Sequence, residues 1–336
     1  MRDPSGERRL VDSFGRRIDN LRISVTDRCN FRCKYCMPAE GMTWQQSEDL
    51  LTFGEITRIA SVAASLGVSK LRLTGGEPLM RHGLPDLIRN LRAIPGIRDI
   101  ALTTNGYFLT EHAAALADAG LHRINISIDS LTPATFSAIV RRDYHAAVMK
   151  GLEAAERTSL RPIKVNVVLL RGINDHEIGD LARFARERQL VVRFIEFMPI
   201  GAGDGWTPDH VVPTREVLAR VAAATGVALE PLPTAHGEPA ERFRFVDGSG
   251  EIGVISSVSQ PFCGSCNRIR ITADGHLRTC LFSLRETDLG KMLRDGASDE
   301  SIAHVIEVAV YNKEEGHHIN RPEFVRPDRT MSSIGG

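Results

Sequence analysis

The chain predicts an α/β fold, a wide and incomplete (βα)6 barrel followed by a C-terminal region of short strands and helices. Three observations predict it. Strand-like runs alternate with helical stretches from Asp19 to Ile200, the strands keep one polar face, and the texture shifts to short strands from Glu241. The six runs are Leu21–Thr26, Lys70–Thr74, Ile100–Asn105, Arg123–Asp129, Ile163–Leu170 and Val192–Met198. Successive strand side chains point to opposite faces, so odd and even positions separate. Leu21, Ile23 and Val25 oppose Arg22, Ser24 and Thr26; Leu71 and Leu73 oppose Lys70, Arg72 and Thr74. Ile124, Ile126 and Ile128 oppose Arg123, Asn125, Ser127 and Asp129, and Val165 and Val167 oppose Lys164 and Asn166. A parallel sheet buried on both faces is aliphatic on both. A cationic face instead lines a ligand-filled lumen, with chemistry expected at the carboxyl ends of the strands.

The helices between have recognisable starts. Thr52 and Glu55 form a capping box ahead of Ile56, Ile59, Ala60 and Ala63, which share one face. Thr110 is placed to cap the Ala-rich helix that ends near Gly120, Thr132-Pro133 puts proline at the first helical position, and Asp175 is placed to cap the helix of Ile178, Leu181 and Phe184. The expected organisation is a mobile leader (1–13), the barrel (14–200), a connecting segment with one helix (201–240) and the C-terminal region (241–336). The boundary falls in Gly201-Ala202-Gly203-Asp204-Gly205-Trp206. The C-terminal region is expected to stand outside the barrel.

Composition narrows the function. Lys plus Arg and Asp plus Glu are equal at 42 each among 336 residues, so no net field points to nucleic acid or an anionic membrane. No run of about 18 apolar residues occurs, which excludes a spanning helix. The leader mixes Arg2, Arg8 and Arg9 with Asp3, Glu7 and Asp12 and lacks a secretory pattern, so a cytoplasmic protein is expected. The six cysteines fall as two triplets, Cys29, Cys33, Cys36 and Cys263, Cys266, Cys280. In a reducing compartment that pattern reads as two metal sites rather than three disulfides.

The first triplet is a C-x3-C-x2-C loop directly after the first strand. Iron–sulfur clusters and zinc are the usual occupants of such loops, and three thiolates leave one iron of a four-iron cube open. The second triplet allows a second cluster, or a zinc knuckle with His276 as fourth ligand. Arg268 and Arg270 follow it on one strand face and, with Arg22, Arg72 and Lys164, make an anion trap suited to a triphosphate.

The loop from Cys29 to Cys36, with Tyr35 before the last thiol, resembles the signature of radical S-adenosylmethionine (SAM) enzymes. Thr74-Gly75-Gly76-Glu77-Pro78 resembles their glycine-rich SAM motif. From about residue 14 to 336 the chain resembles the GTP 3′,8-cyclase family of molybdenum cofactor biosynthesis. Ser24 to Cys33, Thr74 to Leu79, Leu102 to Gly106, Phe262-Cys263-Gly264-x-Cys266 and Gly335-Gly336 carry that likeness. The resemblance implies two 4Fe-4S clusters, one on each triplet. It implies SAM contacts from Tyr35, Gly76, Ser127 and Met198, and GTP contacts from Arg22, Arg72, Thr103, Lys164, Arg268 and Arg270. It also implies that reductive SAM cleavage yields an adenosyl radical that takes the 3′ hydrogen of GTP, after which the ribose attacks C8 of guanine. A one-electron reductant and cyclic pyranopterin monophosphate synthase, which takes the product onward, are the implied partners, with room for a homodimer. The glycine tail is expected to thread into the lumen and bring a carboxylate near Arg22. A peptide-modifying radical SAM enzyme with an auxiliary cluster, or a non-catalytic iron–sulfur or zinc protein, are the rival readings. Glu314 to His318 has no assigned role.

Overall fold

The computed structural model describes residues 8–200, 205–234 and 237–335. The glycine-rich boundary at 201–204, Gly336 and residues 1–7 of the leader lie outside the described residues. The chain opens with a small hairpin, β1 (Leu10–Val11) and β2 (Arg17–Ile18), paired antiparallel with Leu10 opposite Ile18. Leu10 and Ile18 are buried in the main core. The expected leader therefore does not run to residue 13, because an apolar pair anchors its second half.

The barrel follows as β3 (Asn20–Ser24), α1 (Phe53–Ser65), β4 (Lys70–Thr74), α2 (Leu84–Arg92), β5 (Asp99–Thr104), α3 (Leu109–Asp118), β6 (Arg123–Ser127), α4 (Pro133–Val140), α5 (His145–Glu156), β7 (Ile163–Leu169), α6 (Ile178–Glu187) and β8 (Val191–Glu196). These six strands pair in chain order and all run parallel. The rest of the chain supplies α7 (Thr214–Thr225), β9 (Leu229–Leu232), β10 (Glu241–Phe245), β11 (Glu251–Ile255), β12 (Arg268–Ile271), β13 (His276–Arg278), β14 (Thr287–Asp288), α8 (Leu289–Arg294), α9 (Asp299–Tyr311) and α10 (Met331–Ile334).

Local chemistry explains the helix starts, with two corrections. Thr52 and Glu55 close the capping box of α1, and Pro133 opens α4 behind Thr132. Thr110 lies inside α3, which begins one residue earlier without a side-chain cap. Asp175 does not cap α6; its carboxylate accepts the Gly172 amide at 2.7 Å in the preceding turn. The aliphatic strand positions Leu21, Ile23, Leu71, Leu73, Ile124, Ile126, Val165 and Val167 are buried in one core with Ile56, Leu87, Leu116, Phe136 and Leu181 of the helices. Each such side chain contributes about 1.5–3 kcal/mol by burial.

The opposite face forms inter-strand rows. Arg22 pairs with Arg72, which lies opposite Ala101, which lies opposite Arg123. Asn125 joins Thr103 to Lys164, and Asn166 joins Ser127 to Arg193. The C-terminal region does not stand outside this sheet. β12 adds parallel to β3, with Arg270 opposite Arg22, and β11 adds parallel to β8. β13 and β14 extend one edge, β10 and β9 the other, and one sheet of twelve strands results.

Candidate functional site

At the carboxyl end of the barrel two loops are zipped together. The Val25 amide donates to Thr74 O, Gly76 N–H to Thr26 O and Glu77 N–H to Arg28 O, at 2.7–2.8 Å. This is why glycine is needed: a Cβ on Gly76 would lie 2.3 Å from Arg28 O, and one on Gly75 2.6 Å from Thr26 O. The glycines serve the approach of two backbones, and the Gly76 amide is already spent. Glu77 continues the brace. It is fully buried and accepts from Thr104 Oγ1, the Asn105 amide and the Leu79 amide. Burial nevertheless pushes its carboxyl up to about 7.

Within the cysteine loop, the Cys33 carbonyl accepts the amides of Cys36 and Met37, a turn that folds Cys36 back toward Cys33. Arg32 and Lys34 amides dock on the Val140 and Ile139 carbonyls at the end of α4. The Tyr35 hydroxyl donates to Asp129 Oδ2 at 2.6 Å, just beyond Ser127. All three thiols line the cavity. Burial pushes Cys29 up to about 12, helped by Glu77 and Cys36, and burial pushes Cys36 up to about 12 as well. Cys33 is raised well above the usual thiol range by burial and Asp129.

The second triplet lies at the other end of the same lumen. β12 runs parallel to β3, and Cys266 precedes its first residue, so Cys266 sits at the amino end of the barrel strands. β13 returns antiparallel with Arg278 opposite Arg270, which brings Cys280 back level with Arg268. Cys263 joins through a short turn, its carbonyl accepting the Cys266 amide at 3.1 Å. Burial pushes Cys266 up, but Arg268 and Lys313 outweigh it and bring that thiol down to about 6. Cys263 and Cys280 are raised by burial.

A cavity of about 300 Å³ connects the two ends and is lined by all six cysteines, Arg22, Arg72, Gly76, Thr103, Ser127, Met198, Arg268 and Arg270. Lys164, expected to share that wall, is not among the residues that line it; it is 9 % exposed and 3.8 Å from Glu238. Among the described residues Arg22 and Arg72 have no hydrogen-bond or ion-pair partner, and their Nε atoms, with that of Arg268, are sealed from solvent. Burial first, then mutual repulsion among Arg22, Arg270, Arg72 and Arg268, lowers Arg22 well below the ordinary guanidinium range. Burial and Arg193 do the same to Arg72. Burial and Arg193 also bring Lys164 down to about 8. Cations without counter-charges in one enclosure define an anion site. Arg123, by contrast, is paired with Asp99.

Sequence reasoning missed Arg193. It is 5 % exposed, faces the lumen from β8, and donates to Asn166 Oδ1 and Asn125 Oδ1. The alternation of Val192 and Phe194 against Arg193 carried the signal. It also missed Arg16, which ties Asp12 to the Cys263, Glu314 and Glu315 carbonyls. Gly335 is in the lumen: its φ is +71°, and Arg270 Nη1 donates to its carbonyl at 2.5 Å. A Cβ there would meet Thr74 Cγ2 at 2.9 Å and Ser24 Cβ at 3.2 Å. The carboxylate expected on Gly336 lies outside the described residues.

The donor sets suit iron–sulfur clusters better than zinc. His276, the fourth ligand a zinc knuckle would need, is 3.1 Å from Asp274 at the far end of β13 from Cys280. Among the described residues no three His, Cys, Asp or Glu side chains gather as ligands of one ion. Each triplet offers soft donors only, turned toward a shared cavity.

Comparison with known proteins defines the class first. A model of the radical SAM superfamily matches residues 23–185, and one described as Molybdenum Cofactor Synthesis C matches residues 190–319. The fold is similar to that of Streptococcus suis SuiB bound to S-adenosylmethionine, with a TM-score of 0.61 and 14% identity over 93% of this chain and 76% of that one. Nearer relatives are the GTP 3′,8-cyclases of Streptomyces coelicolor (45% identical, 97% of this chain and 96% of the relative) and Moorella thermoacetica (47% identical, 97% and 100%). The chain belongs to the GTP 3′,8-cyclase family of radical SAM enzymes. Among the described residues no helix is long and apolar enough to cross a membrane.

Proposed function

We propose that the chain converts GTP to (8S)-3′,8-cyclo-7,8-dihydroguanosine 5′-triphosphate, using SAM and a one-electron reductant, as the opening step of molybdenum cofactor biosynthesis. The observation that carries this reading is the set of unpartnered cations, Arg22 and Arg72 foremost, between two thiol triplets in one lumen. Cys29, Cys33 and Cys36 would hold a 4Fe-4S cluster that, with SAM, supplies one-electron chemistry able to take a hydrogen atom from the substrate. Because the Gly76 amide is spent on Thr26, its carbonyl is the group left to meet the SAM ammonium. Ser127, Met198 and Tyr35 complete that end, with Asp129 holding the Tyr35 hydroxyl in place.

At the other end Cys263, Cys266 and Cys280 would hold a second 4Fe-4S cluster against the guanine. Arg22, Arg72, Lys164, Arg268 and Arg270 take the triphosphate, and Thr103 lies beside them on the wall. Fixing both ends of the nucleotide aims its ribose at the SAM end, and placement of this sort is the protein's main contribution to rate. The tail narrows the lumen: Arg270 grips Gly335 O while Ser332 and Ile334 are buried, so water is excluded. Gly336 would bring its carboxylate beyond that grip. The product would pass to cyclic pyranopterin monophosphate synthase in the cytoplasm.

The test is anaerobic turnover of the reconstituted protein with SAM, GTP and a chemical reductant. Cyclised GTP and 5′-deoxyadenosine should accumulate together. 5′-Deoxyadenosine without loss of GTP would remove the substrate from this proposal.

A further inference from the structure

Lys313 to His317 follows α9 and carries acidic and histidine side chains that the reaction leaves unused. We infer that this stretch is an electrostatic wall behind Cys263, Cys266 and Cys280, in which Lys313 and the His317 backbone face the thiols and no side chain ligates them. This rests on the reading of that triplet as a cluster site.

Lys313 is 3 % exposed, and its ammonium donates to the carbonyls of Arg268, at 3.2 Å, and Thr279. No described carboxylate lies within ion-pair distance of it. A buried ammonium with only carbonyls around it is costly unless an anion faces it. Its charge favours the thiolate at all three cysteines of the triplet, outweighing burial with Arg268 at Cys266 alone, so the thiolates of a bound cluster would be that anion. Glu314, the next residue, is committed elsewhere: its oxygens accept from Thr279 Oγ1, at 2.6 Å, and Ser283 Oγ, the residues bracketing Cys280.

The remaining residues close on Cys263. A Cβ on Gly316 would meet Cys263 Cβ at 3.3 Å and Sγ at 3.4 Å, and the His317 backbone next to it works against the rise that burial gives that thiol. The His317 ring does not offer itself as a ligand. Its Nδ1 accepts the Ile319 amide at 3.2 Å, burial lowers its pKa, and its ring centroid lies 5.3 Å from that of Phe282. Arg16 holds the wall in register by binding the Glu314, Glu315 and Cys263 carbonyls at 2.5–2.8 Å. Charges and amide hydrogen bonds around cluster sulfurs set reduction potentials. The wall therefore tunes the second centre while leaving its fourth coordination position to an incoming molecule.

The test uses the full chain with Cys29, Cys33 and Cys36 changed to Ala, reconstituted with iron and sulfide and read by iron content, electron paramagnetic resonance and redox titration. Lys313→Met should move the potential of the remaining cluster negative, because a lost cation disfavours the added electron. Lys313→Arg should restore most of that shift. Glu314→Gln should move the potential the opposite way, a sign change that loss of packing alone does not produce. Unchanged potentials, shifts of one sign in both variants, or iron loss from Lys313→Arg as well would reduce the stretch to packing and overturn the inference. A parent protein that binds no iron would instead overturn the second cluster itself.

Discussion

The two ends of the lumen carry the same three-thiol donor set in opposite electrostatic settings. Around Cys29, Cys33 and Cys36 the neighbours are Glu77, Asp129 and Tyr35, and burial holds the thiols protonated. Around Cys266 the neighbours are Arg268 and Lys313, and the thiol falls to about 6. The SAM end is thus suited to a cationic sulfonium ligand beside carboxylates. The far end is suited to a polyanion. On the proposed reading of both triplets as cluster sites, donor residues alone do not decide what each does; the surrounding charge divides the labour.

The largest effect expected from breaking this division comes from replacing Cys29, Cys33 and Cys36 with Ala. SAM cleavage should fall below detection while about four of about eight irons remain. Iron counting with an assay for 5′-deoxyadenosine checks both; loss of all iron would mean that the two ends are not independent.

Next comes the link between the ends. Gly335→Trp forces a side chain against Thr74 and Ser24 at a positive φ and should abolish GTP cyclisation while uncoupled SAM cleavage continues. Separate quantification of cyclised GTP and 5′-deoxyadenosine reads it. Normal yields of both would return the tail to an ordinary chain end.

A smaller change sharpens the anion end. Arg22→Ala should weaken GTP by about 1.5–3 kcal/mol, tenfold to a hundredfold, and guanosine far less. Calorimetry with both ligands decides; equal losses would place Arg22 off the phosphates.

The mildest test is pH. A thiol is alkylated as its thiolate. In iron-free protein Cys266, whose acidity is raised by its cations, should be labelled with a midpoint of about 6. Cys29 and Cys36, raised to about 12, should resist until strongly alkaline pH. Mass-spectrometric mapping of iodoacetamide adducts across pH would show the two profiles, and coincident profiles would erase the contrast.

Much of this was legible in the sequence, because periodicity reports which face of an element is buried. The six strand runs lie within two residues of the observed bounds, and the split of Leu71 and Leu73 from Arg72 placed a cationic wall correctly. Pairing between distant strands leaves no such local trace. Nothing near Arg268 says that it will lie beside Asn20, so the second triplet was expected outside the barrel rather than across its lumen. The reason for Gly75 and Gly76 was also hidden, since the backbone they approach belongs to another loop. Thr110 and Asp175 suit caps by residue type, but helix starts depend on the turn that precedes them. Arg16 was invisible because its partners, Cys263, Glu314 and Glu315, are carbonyls some 250–300 positions away.

The parallel pairing of β12 with β3 has a consequence for biogenesis. A ribosome makes the chain from the amino end, and early segments fold before later ones exist. Until Arg268 to Ile271 have emerged, β3 stays a sheet edge, with its Asn20–Ile23 backbone groups open to any passing strand. The wall of the reaction chamber is therefore sealed only late in synthesis, after the first cysteine loop has been outside the ribosome for more than two hundred residues.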